Sequence, residues 1–415
     1  MNAELLVISK VIQDRDLGPA IERGMDSEWF LGYKSTWDFI QRYNEKYGGL
    51  PSRETVEQAF EGLVLPQVQE TFEYCSDQLI DQLMKYRLKI IAGLVQDKVD
   101  TEDPRVLLSE ITSQVYDLSV DFAENPDQDI IHDFRGRLEK TTEQVSHFEL
   151  NRKPKVLPSG FDHVDQKAPF MDGNLITFIG DTGSLKSYFI QYIAMNVVME
   201  KHVSLLSLEM TKDEVGWRGD AIGAHLQGIE ISNRGMIYGE GIDLAQYRSS
   251  LEQVAGMTDK GLWVSDTTGS VSGVGSAQVI AKFDHYVRRF GNDFGLFIVD
   301  YTTLLEDAND WKDIKSITRR LKVTAQRLGK PCVQIAQARR GQRGREITRD
   351  DVGYSWGMVE DSDKVFTITR EPNGYLSILC DKNRLGEEGW KFMVQVRPDK
   401  GSFVEVEDNT LSHKF

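Results

Sequence analysis

The chain has 415 residues, which is longer than one ordinary domain, so we expect two or three domains with at least one sizeable core. Its formal net charge of −16 argues against a general nucleic-acid coat, so any DNA or RNA binding would need a local basic patch. No apolar run approaches the roughly 18 residues of a membrane helix, and the N-terminus carries charge too early for a signal peptide. A cytoplasmic location without a membrane partner is therefore expected.

The three cysteines, Cys75, Cys332 and Cys380, lie far apart, and none belongs to a CxxC pair. This spacing excludes a zinc ribbon and argues against a disulfide framework. Cys332 and Cys380 sit inside apolar runs, where a small buried hydrophobic side chain is the expected role.

Residues 1–123 are predicted to form a helical N-terminal domain, because segments such as TWDFIQRYNEKY and DQLIDQLMKYRLKIIAGLV carry apolar residues at helical spacing. Gly48, Gly49 and Pro51 interrupt the pattern. Ser52 can then cap the next helix, with Glu54 in its first turn. This part of the sequence contains no catalytic constellation, so packing or oligomer contact is its expected role.

Residues 124–158 are predicted to be a linker that contains one helix, at about 131–149. The flanking runs ENPDQD and NRKPKVLPSG are polar or basic and contain proline. The helix carries an apolar stripe, which Thr142 interrupts, made of Ile131, Phe134, Leu138, Val145 and Phe148. The residues leave open whether this stripe packs on its own domain or on a neighbouring subunit.

Residues 159–415 alternate short apolar runs with helical stretches, a pattern typical of an α/β domain. We expect a largely parallel sheet with helices on both faces and ligands bound beyond the carboxyl ends of the strands. The predicted strands are NLITFIG, VSLLSLE, GLFIVDY, PCVQIAQ, DKVFTIT and LSILCDK.

A phosphate-binding loop, GDTGSLKS, lies between the first of these strands and a helix-like stretch. Its backbone N–H groups and the helix N-terminus would face the β-phosphate of a nucleotide. Lys186 would neutralise β- and γ-phosphate charge, and Ser187 would ligate Mg²⁺. The predicted nucleotide-binding residues of this loop are Gly180, Asp181, Thr182, Gly183, Ser184, Leu185, Lys186 and Ser187.

Leu185 departs from the pattern, which has glycine before the lysine. Glycine accepts backbone angles and a closeness to phosphate that a side chain can obstruct, although Gly183 supplies flexibility two residues earlier. The loop alone therefore leaves a second interpretation, in which it no longer binds phosphate.

Acidic and amide side chains follow three of the predicted strands. Glu209 is a candidate catalytic base for an attacking water, with a solvated cap as the alternative. Asp300 is a candidate for holding the metal and its water shell, with a helix N-cap as the alternative. Gln337 can sense a γ-phosphate or bridge it to another site.

The segment ARRGQRGREITR contains five arginines against a single acid, Glu346. In an acidic protein, such a glycine-bearing segment at the functional edge of the sheet indicates a loop for a polyanion, with a solvated surface loop as the alternative. The predicted DNA-binding residues are Arg339, Arg340, Arg343, Arg345 and Arg349.

Lys382 and Arg384 are two residues apart near the end of a strand, so in extended backbone their side chains share a face. Two cations projected together could reach the γ-phosphate held by a neighbouring subunit. Surface salt bridging is the alternative.

Together these motifs resemble the DnaB-type replicative DNA helicases, hexameric motors with a RecA-like core. LPSGFDHVDQ is similar to the family's lead-in to its first strand, SLEM to its segment with the catalytic glutamate, and IVDYTTLL to its second nucleotide motif. QARR is similar to the glutamine segment, VEDSDKVFTI to a late acidic motif, and DKNRLG to the lysine and arginine-finger pair. Leu185 and Arg339 depart from the family's usual residues, glycine and asparagine, which suggests a divergent bacterial or phage member.

The resemblance implies a ring of six subunits with ATP and Mg²⁺ at each interface. Lys382 and Arg384 would act on the ATP held by the next subunit, and the linker helix would dock on the adjacent motor. Arg218 joins the expected nucleotide-binding residues. Single-stranded DNA would pass through the pore, gripped by residues 306–313 and by the arginine loop, with movement 5′ to 3′. A primase and a helicase loader are the implied partners.

Two other functions remain open on the sequence. One is a RecA-like ATPase in recombination or regulation that binds DNA without unwinding it. The other is a ring-forming adaptor in which Leu185 has abolished turnover, although retention of Glu209, Asp300, Lys382 and Arg384 argues against it.

Overall fold

The computed structural model describes residues 2–23, 25–121, 131, 134–152, 154–267, 273–338, 345–352 and 356–406. The chain divides into two compact units, Met1–Pro126 and Asp127–Phe415. Among the described helices, none combines the length and the apolar character needed to cross a membrane.

The first unit is helical throughout its described secondary structure, as predicted. Its helices are α1 (Ala3–Asp14), α2 (Gly18–Glu22), α3 (Lys34–Tyr47), α4 (Arg53–Ala59), α5 (Phe72–Lys98) and α6 (Pro104–Asp121). The predicted break after α3 is confirmed, because Gly48 ends the helix with a φ of 66°. The predicted cap is confirmed as well, since the Ser52 hydroxyl accepts a 3.2 Å hydrogen bond from the Thr55 N–H.

The predicted linker helix is α7 (Arg135–Asn151), which belongs to the second unit. None of its described side chains is buried. Leu138, Val145 and Phe148 are each about half exposed, at 58%, 51% and 50%. Three members of the predicted stripe therefore lie on the helix and are not covered by the described part of the chain, whereas Phe134 is the N-cap and Ile131 precedes the helix.

The second unit is built on one sheet of nine described strands, in the order β3-β2-β4-β5-β1-β6-β7-β8-β9. Six neighbouring strands, from β3 to β6, are parallel, and the last three add antiparallel pairs. The strands are β1 (Leu175–Gly180), β2 (His202–Ser207), β3 (Leu262–Ser265), β4 (Phe294–Asp300), β5 (Cys332–Gln337), β6 (Lys364–Glu371), β7 (Tyr375–Asn383), β8 (Trp390–Arg397) and β9 (Ser402–Val406).

Helices pack on this sheet in two groups, as the prediction of a covered parallel sheet requires. α9 packs with α10, whereas α14 packs with α13 and α15, and both groups contact strands. After α7 come α8 (Asp162–Lys167), α9 (Lys186–Val197), α10 (Lys212–Leu226), α11 (Asn233–Tyr238), α12 (Leu244–Met257), α13 (Ser276–Phe290), α14 (Trp311–Leu328) and α15 (Trp356–Asp361). The central strands are apolar and buried, and Cys332 and Cys380 are fully buried as expected.

The strand register sets where the functional residues lie. β6 runs parallel to β1 and pairs Gly180 with Ile368, so the phosphate loop begins at the carboxyl edge of the parallel strands. β7 runs back antiparallel to β6, with Lys382 opposite Val365. The carboxyl end of β7 therefore lies at the opposite edge of the sheet.

Candidate nucleotide site and cation pair

The phosphate loop, residues 180–187, joins β1 to α9, the strand-to-helix context that its function requires. Gly180 has no room for a side chain, because a Cβ there would lie 2.5 Å from the Ser184 Oγ and 3.0 Å from the Ile368 carbonyl oxygen. Lys186 Nζ donates to the carbonyl oxygens of Gly180 and Asp181 at 2.9 and 2.8 Å. The lysine thus lies across the mouth of the loop.

Leu185 adopts the left-handed conformation, with φ 64° and ψ 23°, immediately before α9. Such angles cost a residue with a Cβ roughly 1–2 kcal/mol. The Leu185 side chain is partly buried and packs against the main core of the second unit. Leucine therefore takes a backbone conformation that glycine adopts readily, and its side chain packs into the core.

Ser187 and Asp300 meet beneath the loop, where the Ser187 hydroxyl donates to Asp300 Oδ1 at 3.1 Å. Burial raises the pKa of Asp300 to about 6, against the hydrogen bond from Ser187. Burial lowers the pKa of Lys186 to about 8, against the nearby charge of Asp300. Both groups are held in an environment that disfavours their charged forms, as is common where a charged ligand binds.

Asp300 does not cap the 3-10 helix that follows it, Thr302–Leu304, since no side-chain cap is formed there. Hydroxyl and carboxylate oxygens are the ligands that Mg²⁺ takes alongside nucleotide phosphates and water. Ser187 and Asp300 therefore fit a magnesium ion bound together with a nucleotide.

Glu209 follows β2 and is exposed at the same edge of the sheet. It does not cap the next helix, because Thr211 and Glu214 form the capping box of α10. Burial, followed by the charge of the nearby Glu209, raises the pKa of Tyr301. The charge of Glu209 also acts on Lys186. Glu209 is thus a solvent-accessible carboxylate close to the phosphate loop.

Three further side chains surround the loop. The Gln337 amide, at the end of β5, donates to the Thr182 hydroxyl. Arg370 Nη1 on β6 donates to the Gly183 carbonyl oxygen at 3.2 Å. The Arg218 guanidinium lies 5.1 Å from the centre of the Tyr188 ring on α9, and its charge also acts on Asp300. Gln337 and Arg218 are therefore brought to the site that the sequence assigned to them.

Lys382 and Arg384, here called the cation pair, share a face as expected and hydrogen-bond the carboxyl end of α15. Lys382 Nζ donates to the carbonyl oxygens of Val359 and Glu360 at 2.7 and 2.8 Å. Arg384 donates to the same Glu360 oxygen at 3.3 Å and lies 3.5 Å from an Asp363 carboxylate oxygen. The structure does not bring this pair to the chain's own phosphate loop, because the two lie at opposite edges of the sheet.

The arginine loop, residues 339–349, is described only in part. Arg339, Arg340 and Arg343 lie outside the described residues. Arg345 is 61% exposed and pairs with Asp351. Arg349 is 35% exposed and pairs with Asp381 and Glu388.

The second segment expected to grip DNA, residues 306–313, precedes and begins α14. The Asp310 carboxylate accepts from the N–H groups of Lys312 and Asp313, so it caps the helix. Asp307 accepts hydrogen bonds from the backbone and hydroxyl of Ser276. Asp307 and Asp310 thus have structural roles, and Lys312 supplies the positive charge of this segment.

Sequence reasoning missed Tyr301, Arg370 and Asp363. Asp363 is buried; it bonds the Leu175 N–H and Lys322 Nζ at 2.7 and 2.6 Å and also faces Arg384. The available signal was a polar residue within or next to a recognised motif, but only the fold shows which of these side chains lie near a functional group.

A phosphate loop between strand and helix, two acids at the ends of neighbouring strands and a nine-stranded, mostly parallel sheet define a RecA-like nucleotide-binding motor domain. The family model of the DnaB-like helicase C-terminal domain matches residues 156–396, more than half of the chain. The chain therefore belongs to the DnaB-like helicase family. Membership implies nucleotide use and helicase or ATPase activity in general.

Many solved structures are similar to this chain, including the following two. The chain is similar to a DnaB-like replicative helicase, solved in a study of its interactions with primase, with 19% identity and a TM-score of 0.66 over 98% of this chain and 99% of that one. It is also similar to a separately solved ATPase domain, with 20% identity and a TM-score of 0.57 over 66% of this chain and 99% of that one. No curated protein matches the chain.

Proposed function

We propose that this chain is an ATP-dependent replicative DNA helicase that works as a ring of six subunits. The observation that carries the proposal is the position of the cation pair at the edge of the sheet opposite the phosphate loop. The register separates Lys382, opposite Val365, from the level of Gly180, opposite Ile368, by three residues of β6, or about 10 Å. A phosphate bound at Lys186 is therefore out of reach of its own Arg384, so a neighbouring subunit would supply this group.

Within one such interface, each side chain has a distinct task. Lys186 binds the β- and γ-phosphates, and Ser187 and Asp300 hold Mg²⁺, which neutralises phosphate charge when it is bound. Glu209 accepts a proton from the attacking water. Gln337, bonded to Thr182 of the phosphate loop, responds to the γ-phosphate. Arg384 from the next subunit stabilises the charge of the transition state.

The assembly follows from the same assignments. A head-to-tail contact in which each subunit completes its neighbour's site closes into a ring when the rotation permits. The exposed stripe of α7 would dock on the adjacent motor, which would remove Leu138, Val145 and Phe148 from water. Residues 1–123 would act as the helical N-terminal domain, 124–158 as the linker and 159–415 as the motor.

Single-stranded DNA would run through the pore of this ring. The arginine loop supplies phosphate contacts through Arg339, Arg340, Arg343 and Arg345, and the segment 306–313 adds Lys312. Movement along the DNA would be 5′ to 3′. The protein would work in the cytoplasm of a bacterium or of a phage-infected bacterial host. A primase and a loader would be separate proteins.

Unwinding of a forked duplex with ATP and Mg²⁺ tests the proposal, comparing the wild type with Lys186→Ala and Arg384→Ala. The matched control is Arg288→Ala, since Arg288 is an exposed arginine of α13 that pairs with Asp284. We expect unwinding by the wild type and the control and none by the two site variants. DNA-stimulated hydrolysis without strand separation would instead support a RecA-like ATPase, and no hydrolysis by the wild type would support an adaptor.

The DNA path is tested by Arg340→Ala combined with Arg343→Ala. We expect weaker binding of single-stranded DNA and a salt dependence that flattens by about 0.7 for each phosphate that the variant no longer binds. Arg53→Ala combined with Arg288→Ala removes the same charge from exposed positions on two helices and serves as the control. An unchanged salt slope in the loop variant would exclude the loop from the DNA path.

A further inference from the structure

Arg349 ends the arginine loop and contacts the strand that carries the cation pair. Its backbone N–H donates to the Asp381 carboxylate, and its Nη1 donates to the Asp381 carbonyl oxygen at 2.8 Å. Its Nε lies 3.7 Å from the same carboxylate, and Nη1 lies 3.5 Å from Glu388. Both the backbone and the side chain of Arg349 thus bond to Asp381. A guanidinium engaged in this way is less available for contact with a DNA phosphate.

Asp381 occupies an irregular position in the sheet. The register of β6 with β7 pairs Phe366 with Cys380 and Val365 with Lys382, so Asp381 is an extra residue between two consecutive pairs. An extra residue of this kind bends its strand and redirects the side chains beside it. The next residue in the chain is Lys382, and Arg384 follows two positions later, so the geometry at Asp381 sets the direction of the cation pair.

The end of the arginine loop is also fastened to the sheet beside these residues. Ala338 and Val352, on either side of the loop, form an antiparallel bridge. The Ile347 N–H donates to the Thr369 hydroxyl on β6 at 2.9 Å. Residues 347–352 are therefore hydrogen-bonded to the sheet, and a shift of the loop on binding DNA would be passed to β6 and β7.

We propose that Arg349 is a positioning residue that couples DNA binding by the arginine loop to the orientation of the cation pair through Asp381. The proposal rests on the proposed function, because it assigns the arginine loop to DNA and the cation pair to the neighbouring subunit's ATP. It gives Arg349 a role different from that of the other four arginines, to which the proposed function assigns phosphate contacts.

Full-length Arg349→Ala and Asp381→Asn test this role through ATP hydrolysis with and without single-stranded DNA and through DNA affinity as a function of salt. Asparagine keeps an acceptor for the Arg349 N–H and removes the charge. In both variants, we expect the factor by which DNA stimulates ATP hydrolysis to fall at least about fivefold, the size of a typical coupling energy between two sites. DNA affinity stays within about twofold of the wild type with an unchanged salt slope, and the double variant loses no more than either single one.

Arg349→Lys separates charge from geometry, because lysine keeps the positive charge and lacks the planar fork of the guanidinium. We expect normal DNA affinity and no recovery of stimulation. The proposal would be overturned if Arg349→Ala weakened DNA binding and flattened its salt dependence, if Arg349→Lys restored both, and if Asp381→Asn changed neither. Arg349 would then be a phosphate contact. Full stimulation in both Arg349→Ala and Asp381→Asn would also overturn it. A wild type that DNA does not stimulate would instead contradict the proposed function itself.

Discussion

Lys186 and Asp300 at one edge of the motor sheet are held differently from Arg384 at the opposite edge. At the carboxyl edge of the parallel strands, Lys186 and Asp300 are 8% and 4% exposed, and burial shifts both pKa values toward the neutral forms. At the other edge, the Arg384 side chain is 50% exposed and bonded to a backbone carbonyl. The phosphate side is therefore fixed in place at a cost in stability, whereas the arginine side can exchange its partners. This difference agrees with the proposed site shared between two subunits.

Among the variants that test this difference between the two edges, Arg384→Ala is expected to have the largest effect on ATP hydrolysis. We expect DNA-stimulated hydrolysis to fall roughly 10³-fold or more, the range seen for arginines supplied to a neighbouring nucleotide. ATP binding should change little, because the phosphate loop at the other edge is intact. Steady-state kinetics measure both, and a loss of less than about tenfold relative to Arg288→Ala would remove Arg384 from the chemistry.

Glu209→Gln tests the phosphate side without changing its shape. Because glutamine cannot accept the proton of the attacking water, we expect the hydrolysis rate to fall roughly 10²–10⁴-fold. The affinity for ATP, measured by equilibrium binding, should remain. A variant that hydrolyses normally but binds ATP weakly would show that Glu209 has no role as a base.

Asp300→Asn tests the cost of burial at the phosphate side. A carboxyl whose pKa is raised from its usual 3.8 to about 6 favours the protonated form in the folded chain. The stability of the folded chain therefore falls as the pH rises from about 4 to 6, and the full cost of burying the ionised Asp300 is present above that range. We expect Asp300→Asn to stabilise the nucleotide-free chain at pH 7.5 by roughly 1–3 kcal/mol.

The gain from Asp300→Asn should vanish near pH 4, and it is reduced at neutral pH because Asp300 also favours the charged form of Lys186. Chemical denaturation across this pH range measures it. Destabilisation by Asp300→Asn at pH 7.5 would show that the buried carboxylate is fully compensated by its neighbours.

Leu185 gives the smallest expected effect. Leu185→Gly relieves the left-handed backbone and loses packing and unfolded-state restriction, so we expect a stability change within about 1 kcal/mol and nearly unchanged ATP turnover. Leu185→Ala keeps the strain and loses the packing, so it should be the less stable variant. Thermal unfolding compares them. A large gain in turnover from Leu185→Gly would mean that leucine obstructs the site.

The sequence anticipated the features that depend on neighbouring residues. All six predicted strands are present, the phosphate loop lies between strand and helix, and Ser52 caps α4. The fold class, with its helical N-terminal unit and its linker helix, is confirmed. The backbone angle of Leu185 is a local feature that the pattern left undecided, because only the folded loop shows that leucine adopts it.

Long-range pairing explains most of what was missed. β3 and β9 are short strands, whereas β8 has an alternating apolar pattern that the prediction overlooked. The antiparallel direction of β7 is set by its pairing with β6. This direction moves Lys382 away from the carboxyl edge, where chemistry is expected in a parallel sheet. The contact of Arg349 with Asp381 joins residues 32 apart in the chain and has no signature in either segment.

Mixing two inactive variants tests the central claim, that the two edges complete one site only between subunits. Lys186→Ala has an intact cation pair, and Arg384→Ala has an intact phosphate loop. If the variants assemble together, about one quarter of the interfaces in an equal mixture will contain both intact halves. The account predicts that DNA-stimulated hydrolysis returns on mixing. A mixture that co-assembles, as shown by native mass measurement, and remains as inactive as each variant alone would contradict it.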